Sequence, residues 1–593
     1  MDFRLRLRAF FRHDRSLLGD LAGCAWRALR LWGLATLGED TALPDAIGRA
    51  ESENYTLRRL TRRWYTDLQP GVNQARAQHR PRGRFPEGIM SLRPLISFTL
   101  TTTASRFAAT AMLALLFTSC ATASDTVPVA TAAGEVGTDN AAIDALFAEF
   151  DRPGSPGCGL AVAQDGELVY SRGYGYANLD HDIPNTPETL FDVGSVTKQF
   201  TAASLSMLAL AGKLSLDDDV RDWLPELPEY ARPITIRHLL HHTGGLRDYL
   251  NLFPLAGRDD YFPISHAQIL AMMSRQRAPI FPAGEQYSYS NTGYMLLAQI
   301  LERAGGESLG EMAQARIFDP LGMDGSHMYE DVQEIVPGRA IGYDRNDEGE
   351  LRIVHNYNFD VTGDGQLYAT MPDLLRWDDW LHGEPSPEIH ELMLTEGHLD
   401  NGEPVGYAQG LRLSEYRGLR TVGHSGGSWG FLTQLVRFVE PRFSIALSCN
   451  AGYAQPGRIA ELVADHYLGD RLGPRVEDGD SQPDADATSH AEPEPLTLTA
   501  MQMAELAGDY FAPELDATYR LAVEEDRVVV RIEQDPPLGL MPMADGGLQF
   551  HFGDQGLAGR RSATLRPLRN TAGRVVGLTL DSGSERGIVF ERR

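Results

Sequence analysis

Residues 200–211 read Phe-Thr-Ala-Ala-Ser-Leu-Ser-Met-Leu-Ala-Leu-Ala, with no charge, proline or glycine among them. A run of that length and composition predicts a helix buried nearly all round, stopped at Gly212. The rest of the chain must be arranged to cover it. Ser195 stands at the start of this helix, where backbone N–H groups are unpaired and the helix dipole favours negative charge. Lys198 follows three residues later, on the same face. A serine with an amine beside it and an N–H behind it has the minimum equipment for acyl transfer. The chain has only two lysines, Lys198 and Lys213, and every other basic residue in its Lys+Arg total is arginine. In that composition a merely solvated cation would be arginine, so Lys198 is read as functional rather than as the neighbour of a serine cap.

The chain of 593 residues is long enough for more than one domain. Its formal charge of −27 is unevenly spread: residues 1–123 carry 18 Arg against 10 acidic residues, and the remainder 36 basic against 71 acidic. So acidic a body argues against a nucleic-acid partner. Residues 1–89 are Arg-rich and show no sustained helix or strand period, and are read as an N-terminal extension called in error; the alternative is that they are real and make the apolar run that follows an internal anchor. From Met90 the pattern is a basic start, the apolar run Phe107–Thr118 and small residues to Ala123. That is a signal peptide over 90–123, too short to span a bilayer. Cleavage follows Ala123, or falls before Cys120 with a lipid anchor there. On either reading the protein is exported: periplasmic, anchored in the outer membrane or secreted.

Residues 124–138 are a small, polar tether. A helix is expected over Ala141–Phe150, then a hairpin turning at Asp165-Gly166. Helices follow the serine segment to about residue 320, and strand signals return at Thr421–Gly423, Phe431–Val439 and Phe443–Cys449 before a last helix over Gly457–Tyr467. Strands at both ends of 139–470 with helical matter between them predict an α/β fold: an antiparallel sheet flanked by helices, with an inserted all-α subdomain. Residues 471–497 are an acidic, proline-containing linker. Alternating runs across 498–593 predict a small all-β barrel.

Two further segments carry chemistry. In Tyr289-Ser290-Asn291 a phenol and an amide can reach one pocket from one loop. The Tyr289 phenolate would take the serine proton if Lys198 lowers its pKa, and Asn291 would hold Lys198 and a substrate carbonyl. In His424-Ser425-Gly426-Gly427 a glycine-rich strand edge lets backbone approach a bound acyl group. The N–H groups of Gly427 and Ser195 would form an oxyanion hole, with His424 above it.

Together Ser195-x-x-Lys198, Tyr289-Ser290-Asn291 and His424-Ser425-Gly426 resemble, in order and spacing, the motifs of the serine β-lactamase and penicillin-binding-protein superfamily, in its class-C-like branch. Leu239–Leu246, Gly363-Asp364-Gly365 and Asp373-Leu374 agree with it, and the resemblance covers about 139–470. It implies a Ser195 acyl-enzyme, with Lys198 and Tyr289 sharing general-base work and Asn291, His424, Ser425 and Gly426 binding substrate. The family's class C β-lactamases carry Lys-Thr-Gly where this chain has His424-Ser425-Gly426. Histidine there is more similar to D-amino-acid peptidases, amidases and esterases. The resemblance also makes the strands that begin at Cys158 and end at Cys449 antiparallel neighbours, which implies a disulfide in an oxidising compartment. Residues 498–593 are similar to the lipocalin-like domains of some members.

The expected partner is a small-molecule or peptide substrate. Asp360–Gly365 hints at a calcium loop, but Met371 falls where a bidentate glutamate is needed. His241-His242 lacks zinc spacing and reads as structural. No metal and no cofactor is expected. Three alternatives stand beside the hydrolase reading. One is a true β-lactamase, and one is a catalytically silent ligand-binding ectodomain. The third is an α/β-hydrolase elbow at Gly423-His424-Ser425-Gly426-Gly427, which would require a helix directly after it.

Overall fold

The computed structural model describes residues 140–258, 263–346, 348–354, 358–383, 387–474, 496–533, 535–552 and 561–593. The expected extension, signal peptide, Cys120 site and tether, and most of the acidic linker, lie outside the described residues.

The central sheet has six antiparallel strands: β1 (Cys158–Gln164), β2 (Glu167–Tyr174), β3 (Arg412–Tyr416), β4 (Leu419–Ser428), β5 (Phe431–Phe438) and β6 (Phe443–Cys449), in the spatial order β3-β4-β5-β6-β1-β2. The β1–β2 hairpin turns where expected. Asp165 (φ 54°) and Gly166 (φ 83°) both take left-handed backbone, which matches the twist of the flanking strands. Cys158 faces Cys449 directly across β1 and β6, and the two form a disulfide with Cα atoms 3.9 Å apart.

Eight helices matter here: α1 (Ala141–Leu146), α2 (Thr197–Leu210), α3 (Ile236–Leu240), α4 (Tyr249–Leu255), α5 (Asn291–Gly305), α6 (Met371–His382), α7 (Pro456–Leu468) and α8 (Ala500–Leu506). The sheet is buried on both faces. Leu160 and Val162 of β1 pack in one core with Phe147, Ile459 and Val463, whereas Ala161 and Ala163 point into the other core with Phe200 and Trp377. This two-sided burial explains the nearly unbroken apolar run of β1. The first helix is shorter than expected: it ends at Leu146, and Phe147–Phe150 continue as turns into the Pro153-Gly154 bend. α2 behaves as its sequence requires. Eleven of its 14 residues are buried, and Gly212 (φ 67°) closes it, with Lys213 N–H donating back to Leu208 O. α3, α4 and α5 belong to the helical matter inserted between β2 and β3, so the expected architecture holds.

Residues 508–592 form nine antiparallel strands: β7 (Gly508–Ala512), β8 (Ala517–Glu524), β9 (Arg527–Ile532), β10 (Leu538–Gly539), β11 (Met541–Pro542), β12 (Leu548–Phe552), β13 (Arg561–Arg569), β14 (Val575–Ser582) and β15 (Glu585–Arg592). They run in the order β10-β9-β8-β7-β15-β14-β13-β12-β11, a nearly closed barrel. Its interior is filled by Tyr510, Tyr519, Phe550, Leu578 and Phe590. The short strands β10 and β11 and the opening strand β7 were not resolved as strands by the sequence pattern.

Candidate active site

The turn bearing Ser195 is fixed from both sides. Asp192 accepts the Gly194 N–H at 3.0 Å through one oxygen and the Ser428 hydroxyl at 2.5 Å through the other, tying the turn to the end of β4. Burial pushes the Asp192 carboxyl up to about 6, against the pull of these two donors. Thr197 Oγ1 donates to Gly194 O at 2.6 Å and accepts the Leu367 N–H at 3.1 Å. Gly194 has φ 52°, and a Cβ there would fall 2.6–2.9 Å from the Gly427 backbone. A Cβ on Gly426 would lie 2.0 Å from Val193 O and 3.2 Å from Ser195 N. The glycines are therefore what let β4 lie against the serine turn. β3 pairs with β4 only as far as Gly423, so beyond it β4 has no outer neighbour strand and offers that edge to Ser195. Ser195 and Gly427 both line the cleft beside this turn, where the sequence reading expects the oxyanion hole.

Lys198 is fully buried. Its Nζ lies 3.0 Å from Ser195 Oγ, 2.8 Å from Asn291 Oδ1 and 2.8 Å from Asp364 O. The last two partners only accept. A neutral amine has two N–H donors and one lone pair. The two carbonyl oxygens take the donors, which leaves the lone pair for the serine hydroxyl. Burial lowers the Lys198 pKa to about 8, although the Asp364 and Asp248 carboxylates raise it.

Tyr289 stands differently from its expected role. Lys198 Nζ lies over the Tyr289 ring, 5.0 Å from its centroid, and not against its hydroxyl. Burial pushes the phenol well above its ordinary value, and a contact with Ser195 only partly offsets this. The hydroxyl is buried and makes no hydrogen bond of normal geometry among the described residues. Burial thus favours the neutral phenol of Tyr289 beside Ser195 over the phenolate expected from the sequence.

Asn291 opens α5, but the helix cap is Ser290, whose side chain accepts the Gly293 N–H. Asn291 is therefore free of capping duty. Its Oδ1 holds Lys198, and its Nδ2 donates to Asp248 Oδ2 at 3.0 Å, with one N–H remaining. His424 is buried, with Nε2 3.0 Å from the Tyr407 hydroxyl and Nδ1 2.5 Å from Ser425 O. Burial first, then Lys198, push its pKa down to about 3, so the ring is neutral. Ser425 is exposed and outside the lining of the cleft. It sits in mid-strand, with β5 rather than a helix after it. That removes the elbow reading.

The open cleft, about 320 Å³, is lined by Ser195, Asn291 and Gly427 and walled by Tyr249, Leu250, Phe359 and Trp429. Sequence reasoning missed several groups that shape it. Asp364 gives Lys198 its carbonyl and takes the Tyr249 hydroxyl at 2.7 Å. The tripeptide Gly363-Asp364-Gly365 was noted in the sequence as a family feature, without a role for Asp364. Asp248 accepts the Asn291 N–H at 2.6 Å. His242 (φ 57°) accepts the Ser290 N–H and packs on Tyr289, Tyr294 and Tyr407. Arg412, exposed on β3, lies 5.6 Å from the Tyr289 ring centroid. His242 was read only as one of a structural pair, and no local pattern marks Asp248 or Arg412.

Among known proteins, the Beta-lactamase family model matches residues 143–468. The chain is 33% identical over 309 residues to penicillin-binding protein 4* of Bacillus subtilis (strain 168), covering 49% of this chain and 67% of that protein. It is 32% identical over 328 residues to the D-aminopeptidase of Gluconobacter oxydans (strain 621H), covering 55% of this chain and 61% of that relative's length. A penicillin-binding protein homologue from Pyrococcus abyssi, of known structure, aligns with 76% of this chain and 98% of its own at 25% identity and a TM-score of 0.49. With more than half its length matched and the three motifs assembled around one cleft, the chain belongs to the Beta-lactamase family.

Proposed function

We propose that this protein is a serine hydrolase that cleaves an amide or ester bond through a Ser195 acyl-enzyme, with D-amino-acid peptides or amides as its preferred substrate class. The observation that carries this reading is the buried Lys198 Nζ 3.0 Å from Ser195 Oγ, with carbonyl oxygens as its two other partners, so that once deprotonated its lone pair is left for the serine. Neutral Lys198 takes the Ser195 proton as Oγ bonds to the substrate carbonyl carbon. The Ser195 and Gly427 N–H groups receive the oxyanion. The proton then passes to the leaving nitrogen or oxygen as its bond to carbon breaks, with Tyr289 beside Ser195 to carry it. Water releases the acyl group by the reverse route.

The substrate class is supported by the D-aminopeptidase relative and by His424. A neutral ring held by Tyr407 and Ser425 O supplies no cation where the family's class C β-lactamases place lysine. The exposed Arg412 lies beside the Tyr289 ring. Export is part of the proposal, and the Cys158–Cys449 disulfide supports it, since such bonds persist in oxidising compartments. The test compares D-amino-acid amides, p-nitrophenyl esters and nitrocefin on purified protein, with mass spectrometry of the trapped intermediate. The expected result is turnover of an amide or ester with the acyl mass on the Ser195 peptide. Faster turnover of nitrocefin than of any amide or ester would transfer the assignment to a β-lactamase. No acylation by any substrate would leave a binding domain.

A further inference from the structure

The two carbonyl acceptors that hold Lys198 lead back to the same short segment. Asn291, whose Oδ1 accepts from Lys198, donates its own N–H and its Nδ2 to Asp248 Oδ2 at 2.6 and 3.0 Å. Asp364, whose backbone oxygen accepts from Lys198, receives the hydroxyl of Tyr249 on its side chain at 2.7 Å. Thr292, next to Asn291, donates to Arg247 O and accepts the Tyr249 N–H, both at 2.8 Å. Residues 247–249 are thus braided with the start of α5 and with the Asp364 turn.

What holds this segment from behind comes from the C-terminal barrel. Glu585 opens β15 and is fully buried. Its Oε1 accepts the Asp248 N–H at 3.1 Å and Asn251 Nδ2 at 3.1 Å, with Ser584 Oγ also at 3.1 Å. Its Oε2 lies 4.0 Å from Arg247 Nε. Arg247 itself is buried between Gln276, Glu514 and the Arg586 carbonyl. Nothing in the chemistry of the cleft uses Glu585, yet burying a carboxylate there is costly unless its contacts matter.

We propose that Glu585 is a positioning residue for Lys198: the barrel completes the active site by pinning Arg247-Asp248-Tyr249, which in turn fixes both carbonyl oxygens that aim the amine at Ser195. The proposal rests on the reading of Ser195 and Lys198 as nucleophile and base. Glu585 touches no substrate and acts only through Asp248. Loosening it should therefore slow bond formation to Ser195 while leaving ligand capture in the cleft nearly unchanged.

The test measures time courses of Ser195 labelling by a fluorophosphonate in the full chain, which separate the maximal rate from the half-saturating concentration. The labelled fraction at saturation counts folded sites. Glu585→Ala is expected to lower the maximal rate about 10-fold or more with half-saturation within about 3-fold, since misplacing a base acts on the transition state. Glu585→Gln keeps an acceptor oxygen for Asp248 and Asn251 and is expected to stay within about 3-fold of the parent. Tyr519→Phe removes the bond from Tyr519 to Leu255 O (2.7 Å), a barrel contact at the far end of α4. It is also expected to keep the parent rate. A parent rate per labelled site in Glu585→Ala overturns the proposal. So does an equal loss in Tyr519→Phe, which would mean general docking rather than this contact. If Ser195→Ala labels as strongly as the parent, the nucleophile reading itself fails, and the proposal falls with it by a different and visible route.

Discussion

At Lys198 the deciding quantity is which partner holds which proton. An ordinary lysine near pKa 10.4 would be almost wholly protonated at neutral pH and could not accept from serine. Burial brings this one down to about 8. A base works when it is deprotonated, so acylation should rise with pH, about tenfold per unit well below 8, and level off above it. A pH profile of kcat/KM checks this. Lys198→Ala should remove the limb along with at least about 10²-fold of the rate, as losing a general base does. Tyr289→Phe should keep the limb and lose less, because burial holds the phenol protonated throughout. A limb that vanished in Tyr289→Phe but survived in Lys198→Ala would reverse the two roles. That Ser195 and Lys198 face one another was legible from their spacing of three on a helix. The division of labour between lysine and tyrosine was not, because it depends on how deeply other segments bury each group.

The serine turn and β4 form a single unit. Gly194 needs both its left-handed φ of 52° and the absence of a side chain, because a Cβ would meet the Gly427 backbone at 2.6–2.9 Å. Gly194→Ala should force these two stretches apart and spoil the oxyanion hole. The expected outcome is a fall in acylation rate of about 10²-fold, the scale of losing one oxyanion donor. A drop in melting temperature should accompany it, from about 1–3 kcal/mol of backbone strain. Labelling kinetics and thermal unfolding read the two separately. The Gly-rich character of β4 was visible in the sequence. The way β3 stops at Gly423, leaving the rest of β4 with one open edge, was not, because Arg412–Tyr416 carries no clear strand alternation: its burial mixes half-buried and exposed positions.

For the whole molecule, the Cys158–Cys449 bond joins neighbouring strands but spans 291 residues, nearly the entire hydrolase region. Its effect lies mainly in the unfolded chain, where closing so long a loop removes entropy worth up to about 5 kcal/mol in the chain-entropy model. Replacing both cysteines by Ser should lower the denaturation midpoint in urea while leaving the Ser195 labelling rate of the folded protein unchanged. An unaltered midpoint would mean that the pair is not oxidised in the native protein. The barrel adds a second long-range constraint. Tyr519, Arg561 and Glu585 all bond to residues 248–255, the segment that supplies Tyr249 and Leu250 to the cleft, so the barrel packs against that segment.

Short-range geometry was legible in the residues alone. A charge-free run makes a buried helix, a spacing of three puts a serine and a lysine on one face, Asp-Gly makes a hairpin turn, and alternation in the last hundred residues makes a barrel. Which distant groups close on Lys198 is set by packing across the whole fold. Asn291 lies 93 residues from it and Asp364 lies 166 residues away. Glu585 lies a further domain away and reaches the site through Asp248. Their effects depend on burial and on contacts across the fold, and no local pattern encodes either. The helix fixed where the amine could be, and the packing of the inserted helices and the barrel fixed its charge and its aim.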